Sequence, residues 1–130
     1  MNQLNSAVGL LLIVGVILGN PFDAAAQFKP PTRETPPPST EKHMALIKEG
    51  IALHVKGDYD GALAKYDAVL AQSPDDLLAL YETVVTMAAR KEYAKALEVA
   101  ARGADYKSEH IGPFYNMIGN VYVLMQQPET

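Results

Sequence analysis

Gly57-Asp58-Tyr59-Asp60-Gly61-Ala62-Leu63-Ala64-Lys65-Tyr66, with Pro74 following, is the stretch that decides the fold. Gly57 ends a helix, because glycine accepts the positive φ of a helix C-terminus without steric cost. Asp58 caps the next helix, its carboxylate accepting from the free N–H groups of the first turn. Tyr59, Ala62, Leu63, Tyr66, Val69 and Leu70 then recur at spacings of three and four, the stripe of an amphipathic helix. Ser73-Pro74 stops it, since a residue before proline is pushed out of the helical region. Asp75 or Asp76 caps a third helix. Upstream, Leu46, Gly50 and Leu53 trace one face of the helix that Gly57 closes.

The pattern repeats. A shift of 34 residues lays Ala45 on Ala79, Leu46 on Leu80, Tyr59 on Tyr93, Ala62 on Ala96 and Leu63 on Leu97. It also pairs Ile51 with Val85, Leu53 with Met87, Lys56 with Arg90 and Asp58 with Glu92. Each unit is two helices joined by a short turn. Small residues at Gly50 and Ala62 let the two approach closely, and Leu46, Leu53 and Tyr66 fill the flanking space. The fourth helix spans about Tyr93 to Asp105. A third unit opens with Pro113, at home in a first helical turn, and Phe114-Tyr115-Asn116-Met117-Ile118-Gly119-Asn120-Val121-Tyr122. Gly119 stands 69 residues after Gly50, one more than two periods. Gln127-Pro128 reads as the turn into a sixth helix.

These residues resemble the tetratricopeptide repeat family over residues 43–130, as units 43–76, 77–110 and a partial 111–130. The resemblance implies an all-α fold of about five helices, antiparallel pairs stacked as a short right-handed solenoid. Departures fall at Glu49 and Thr83, where the family has a large aliphatic residue. Val84 replaces a small residue and Ala100 a large aromatic one. The second unit is therefore the most degenerate. The resemblance also implies a concave groove lined by the first helix of each pair, which binds a peptide or a helix. Its candidates are Met44, Ile47, Ile51, His54 and Val55, then Leu78, Tyr81, Val85 and Ala88, then Asn116, Asn120 and Val123. A carboxylate clamp for peptide C-termini is not expected, because Ile47 and Ile51 stand where that version is polar. Periodicity does not separate two buried stripes on one helix, so any of these apolar residues is equally read as core between helices. The fifth helix would expose Ile118, Val121, Tyr122 and Met125, an apolar face open to self-association or to a partner that completes the stack. The same open face fits a truncated product.

The first third of the chain is a different material. Six of the nine prolines lie between Pro21 and Pro38. Ala7 to Gly19 is an uncharged apolar run of 13 residues, short for a membrane span, which needs about 20. It suits the core of a secretory signal, with Ala24 and Ala26 satisfying a peptidase that cuts before Gln27. No Lys or Arg precedes it among Met1 to Ser6, so an uncleaved N-terminal anchor is the rival reading. Residues 1–26 are thus a signal peptide or an anchor, and the location is secreted or periplasmic, or membrane-tethered through residues 7–19. Residues 27–42 are expected to be a disordered Pro-rich linker, because proline removes donors and fixes φ. Such a segment suits a ligand for a proline-recognising domain or a spacer, and the spacer is the expectation.

Catalytic and cofactor chemistry finds no foothold. The chain has no cysteine, and His43, His54 and His110 are not spaced as ligands on one helix face. Neither a metal nor a cofactor is expected, nor an enzyme. Asp58-x-Asp60-Gly61 resembles the start of a calcium loop but lacks the further oxygens. A net charge of −4 with scattered Lys and Arg argues against nucleic acid. The expectation is an exported interaction or scaffold module that binds a protein or peptide in an apolar groove. The alternative is a membrane-anchored envelope assembly factor that self-associates through its fifth helix.

Overall fold

The computed structural model describes residues 30–127, so the apolar segment 7–19 and the cleavage motif at Ala24–Ala26 lie outside the described residues. Within them the chain forms β1 (Arg33–Glu34), α1 (Glu41–Val55), α2 (Tyr59–Gln72), α3 (Leu77–Ala89), α4 (Tyr93–Ala104), β2 (Tyr106–Lys107), a 3-10 turn (Glu109–Ile111) and α5 (Gly112–Met125). Each helix packs on the next, and α1, α3 and α5 also touch in series. The result is an all-α stack of helix pairs with the first helices side by side.

Local chemistry sets the helix ends. Thr40 caps α1 by accepting from the His43 N–H, Asp58 caps α2 through the Gly61 N–H, and Asp76, not Asp75, caps α3 through the Ala79 N–H. At the end of α1 the Gly57 N–H donates to the His54 carbonyl (2.9 Å) and the Asp58 N–H to that of Leu53 (2.9 Å). That is a Schellman closure, with Gly57 at φ +81°. One period later the Lys91 N–H donates to Ala88 (3.0 Å) and the Glu92 N–H to Met87 (2.9 Å). The same turn is closed with Lys91 at φ 61°, where a side chain is strained.

Two buried clusters form the core. Ile47, Ala62, Tyr66, Val69 and Ala79 make the first. Leu80, Val84, Ala96, Ala100, Ala104, Phe114, Ile118 and Val121 make the second. The degeneracy of the second unit is an exchange of volume. A Cβ on Gly50 would lie 2.4 Å from Tyr66 Cε1, so a glycine and a tyrosine ring fill the first pair. In the second pair Val84 and Ala100 stand at those positions, both fully buried. Bulk has moved from the second helix to the first.

A second stripe on each first helix faces the preceding pair. On α5 it is Phe114, Ile118 and Val121, all buried. On α3, 35 residues earlier, it is Ala79, Thr83 and Thr86, also buried. On α1 the corresponding Ala45, Glu49 and Ala52 are exposed, and Glu49 pairs with Lys65 at 2.6 Å. Among the described residues no pair precedes α1, which is why a carboxylate is tolerated at Glu49. Gly119 fits the 69-residue offset: a Cβ there meets nothing within 4 Å, because among the described residues no helix follows α5.

Residues 30–40 stay largely exposed, as a solvated linker would, but they are tethered rather than free. They lie as a strap along the helix stack, anchored to residues 72 and 73 positions away. β1 pairs in parallel with β2, Arg33 opposite Tyr106 and Glu34 opposite Lys107. Proline blocks a long ladder, but the two residues that pair are not proline, so a short ladder forms there while both side chains stay exposed.

Candidate functional site

The three first helices converge on one apolar cavity of about 770 Å³. Met44 comes from the first turn of α1, Leu77, Leu78 and Tyr81 from α3, and Pro113 and Phe114 from α5. The outer wall is the strap, Thr35 to Ser39. Neither α2 nor α4 contributes a lining residue. Tyr81 is set by its edge-to-face contact with Phe114, ring centroids 5.9 Å apart and planes at 88°. Phe114 is in turn seated where Gly103 leaves room, since a Cβ there would stand 2.2 Å from its ring.

The strap is fixed at both ends by polar contacts. The Thr32 and Arg33 N–H groups donate to the Asp105 carbonyl at 3.1 and 2.9 Å. The Thr32 hydroxyl donates to the Asp105 carboxylate at 2.9 Å. Arg33 reaches Asp75 at 3.0 Å and lies over the Tyr106 ring, 4.8 Å from its centroid. The Thr35 hydroxyl donates to the Lys107 carbonyl, and the Lys107 ammonium pairs with Glu34 at 2.7 Å. At the far end the Ser39 hydroxyl donates to Asp76 at 2.9 Å. The Asp76 carboxylate therefore serves the α3 cap and the strap at once, with His43 Nδ1 3.6 Å away. Burial, with Asp75 beside it, pushes the Tyr106 phenol up to about 12.

Towards the C-terminal ends of α1 and α3 the packing between these helices becomes polar. His54 Nδ1 and the Thr86 hydroxyl lie 2.8 Å apart, and the His54 ring stacks at a tilt on Tyr59 with centroids at 5.1 Å. Burial raises the Glu82 carboxyl above its ordinary range, and the nearby His54 opposes it.

The groove residues expected from sequence separate into groups. Met44, Leu78 and Tyr81 meet in the cavity. Ile51, His54, Val85 and Ala88 are half-buried on α1 and α3. Asn116, Asn120 and Val123 are exposed on α5, and Val55 is 79% exposed at the end of α1. Ile47 is a correction. It is 1% exposed, packed with Tyr66 and Ala79 in the first core cluster, and offers no surface to a ligand. Ile118 and Val121 are a second correction, at 8% and 0% exposed. They face back onto the second pair, so self-association cannot use them. Tyr122 is half-buried, while Met125 is exposed together with Val123 and Leu124. Sequence reading missed Leu77, Pro113, Phe114 and the strap. The strap's partners lie across the whole repeat region, and no local pattern announces such a contact.

Among the described residues no group of three or more His, Asp or Glu side chains is placed to hold a metal. Among them, too, no helix is long and apolar enough to cross a membrane. No curated protein and no solved structure matches the chain. Residues 55–110 match the tetratricopeptide repeat. The matched span runs from the end of α1 through α4, and the paired packing of all five helices is that of a tetratricopeptide-like solenoid.

Proposed function

We propose that this chain is a protein-interaction module that binds an extended or helical segment of a partner along the inner face of α1, α3 and α5. The repeat is that of a protein-interaction module, and one observation carries the finer reading. Every helical residue that lines the 770 Å³ cavity comes from a first helix. Exposure supports it: among the described residues the exposed large hydrophobics are Val55, Val123, Leu124 and Met125, again on first helices only. Exposed apolar surface that the fold does not need is the usual mark of a docking site. Pockets of this size and apolar character are also the usual shape of binding sites.

The proposal includes export. It rests on the apolar run Ala7–Gly19 and on Ala24–Ala26, which precede the described residues. Loss of about 26 residues from the mature chain, read by intact mass, supports secretion. An intact N-terminus in the membrane fraction supports the tether instead.

The binding reading is tested by mild cross-linking of the tagged full-length chain in its native cells, followed by mass spectrometry. Val55→Asp with Val123→Asp alters two exposed positions and leaves both core clusters intact. The expected result is a stoichiometric partner that this double variant loses. A partner retained at full yield by the double variant overturns the reading.

A further inference from the structure

The strap shows what this face accepts. Between its anchored ends, Pro36, Pro37 and Pro38 pass over Met44, Leu78 and Tyr81 and wall the cavity without filling it. Prolines suit that role, because their φ is already fixed and little freedom is lost on docking. The receiving chemistry is specific. The Tyr106–Lys107 edge pairs with an extended backbone. Asp75 and the Tyr106 ring take a guanidinium from two sides. The prolines wall the apolar cavity opposite Met44, Leu78 and Tyr81. Yet the strap's contacts with Asp105, Asp75 and Lys107 are solvent-exposed. Exposed ion pairs are weak and exchange readily with water.

We propose that residues 32–39 are a tethered occupant of the inner face, and that the partner carries an extended segment of the same chemistry, a cationic residue followed by prolines, which binds by replacing them. The inference rests on the reading above and names the partner's chemistry and the regulation of that site. While the strap is seated, the cavity at the start of α1, α3 and α5 is closed to competitors. A partner's apparent affinity falls in proportion to the fraction of molecules in which the strap is off.

The test uses a fluorescent peptide of residues 30–40 and the full-length chain, read by anisotropy. Two chains are compared, the unaltered one and one carrying Thr32→Ala with Arg33→Ala, which loosens its own strap. The loosened chain is expected to bind the peptide roughly tenfold tighter or more, because its face is open a larger fraction of the time. A peptide with Glu in place of its arginine is expected to lose that binding. Leu78→Asp in the loosened chain is expected to lose it too, with circular dichroism confirming the helices. Equal affinity of the two chains overturns the proposal, as does binding indifferent to the peptide's arginine and to Leu78. The two readings fail separately. If the loosened chain takes no peptide while Val55→Asp with Val123→Asp still abolishes partner capture, the inner face is the site and the strap is not its occupant. If that double variant also leaves capture intact, both readings fall.

Discussion

Lys91 occupies the place that Gly57 holds one period earlier, and the two turns are closed by the same pair of backbone hydrogen bonds. Both residues have positive φ, 81° at Gly57 and 61° at Lys91. A side chain in the left-handed region costs about 1–2 kcal/mol, because Cβ crowds the following carbonyl. Glycine escapes that strain but loses about 0.5–1 kcal/mol more in backbone freedom on folding. Lys91→Gly should therefore stabilise the chain by a net of about 0.5–1 kcal/mol. For a helical region of this size that is a rise of roughly 2–8 °C in Tm. Thermal unfolding followed by circular dichroism at 222 nm reads it directly. Gly57→Lys is the mirror experiment, and it should lower Tm by a similar amount. A Cβ at Gly57 meets nothing within 4 Å, so backbone strain alone is at issue there. An unchanged or lower Tm for Lys91→Gly, together with tolerance of Gly57→Lys, would refute the equivalence of the two turns.

Two further outcomes follow from the core and the strap. Gly50→Val drives a side chain into the Tyr66 ring and should cost about 1–3 kcal/mol, and Tyr66→Ala alone about 3–5 kcal/mol. The double variant rebuilds the Val84–Ala100 arrangement, so denaturant unfolding should show it more stable than the two losses added, by about 1 kcal/mol or more. Burial holds the Tyr106 phenol up at about 12, against an ordinary value of 10.0. Folding favours the neutral phenol, so its contribution is complete below pH 10 and is lost as pH climbs towards 12. Tyr106→Phe keeps the ring and removes the ionisation, and should move the midpoint of alkaline unfolding upward. A midpoint unchanged in Tyr106→Phe counts against this origin of the alkaline limit.

Much of the fold was legible because helix punctuation is local. Gly57, Asp58 and Ser73-Pro74 each act on their own neighbours, and the period of 34 copies the result. The second unit looked degenerate because Val84 and Ala100 were judged singly, whereas their volumes compensate across the pair. Which stripe of a helix faces the preceding pair was harder. Ile118 and Val121 read as an open face, since on a 3.6-residue helix the two apolar stripes of α5 look alike. A comparison down the stack resolves it. The stripe that faces the preceding pair runs from Ala45, Glu49 and Ala52, exposed, through Ala79, Thr83 and Thr86 to the wholly apolar Phe114, Ile118 and Val121. Ile47 was misplaced for the same reason. The strap was illegible for a different one. Thr32 meets Asp105 across 73 positions, and a non-local contact leaves no trace in a window of sequence.

The most direct test of inner-face binding places a photo-crosslinking residue at Val85, on the inner face of α3, and in a second chain at Ala68, exposed on α2. Both full-length chains are irradiated in the native cells and their adducts identified by mass spectrometry. If the inner face binds the partner, Val85 yields one discrete partner adduct and Ala68 yields none. An adduct of equal yield from Ala68, or one from Ala68 alone, would contradict it.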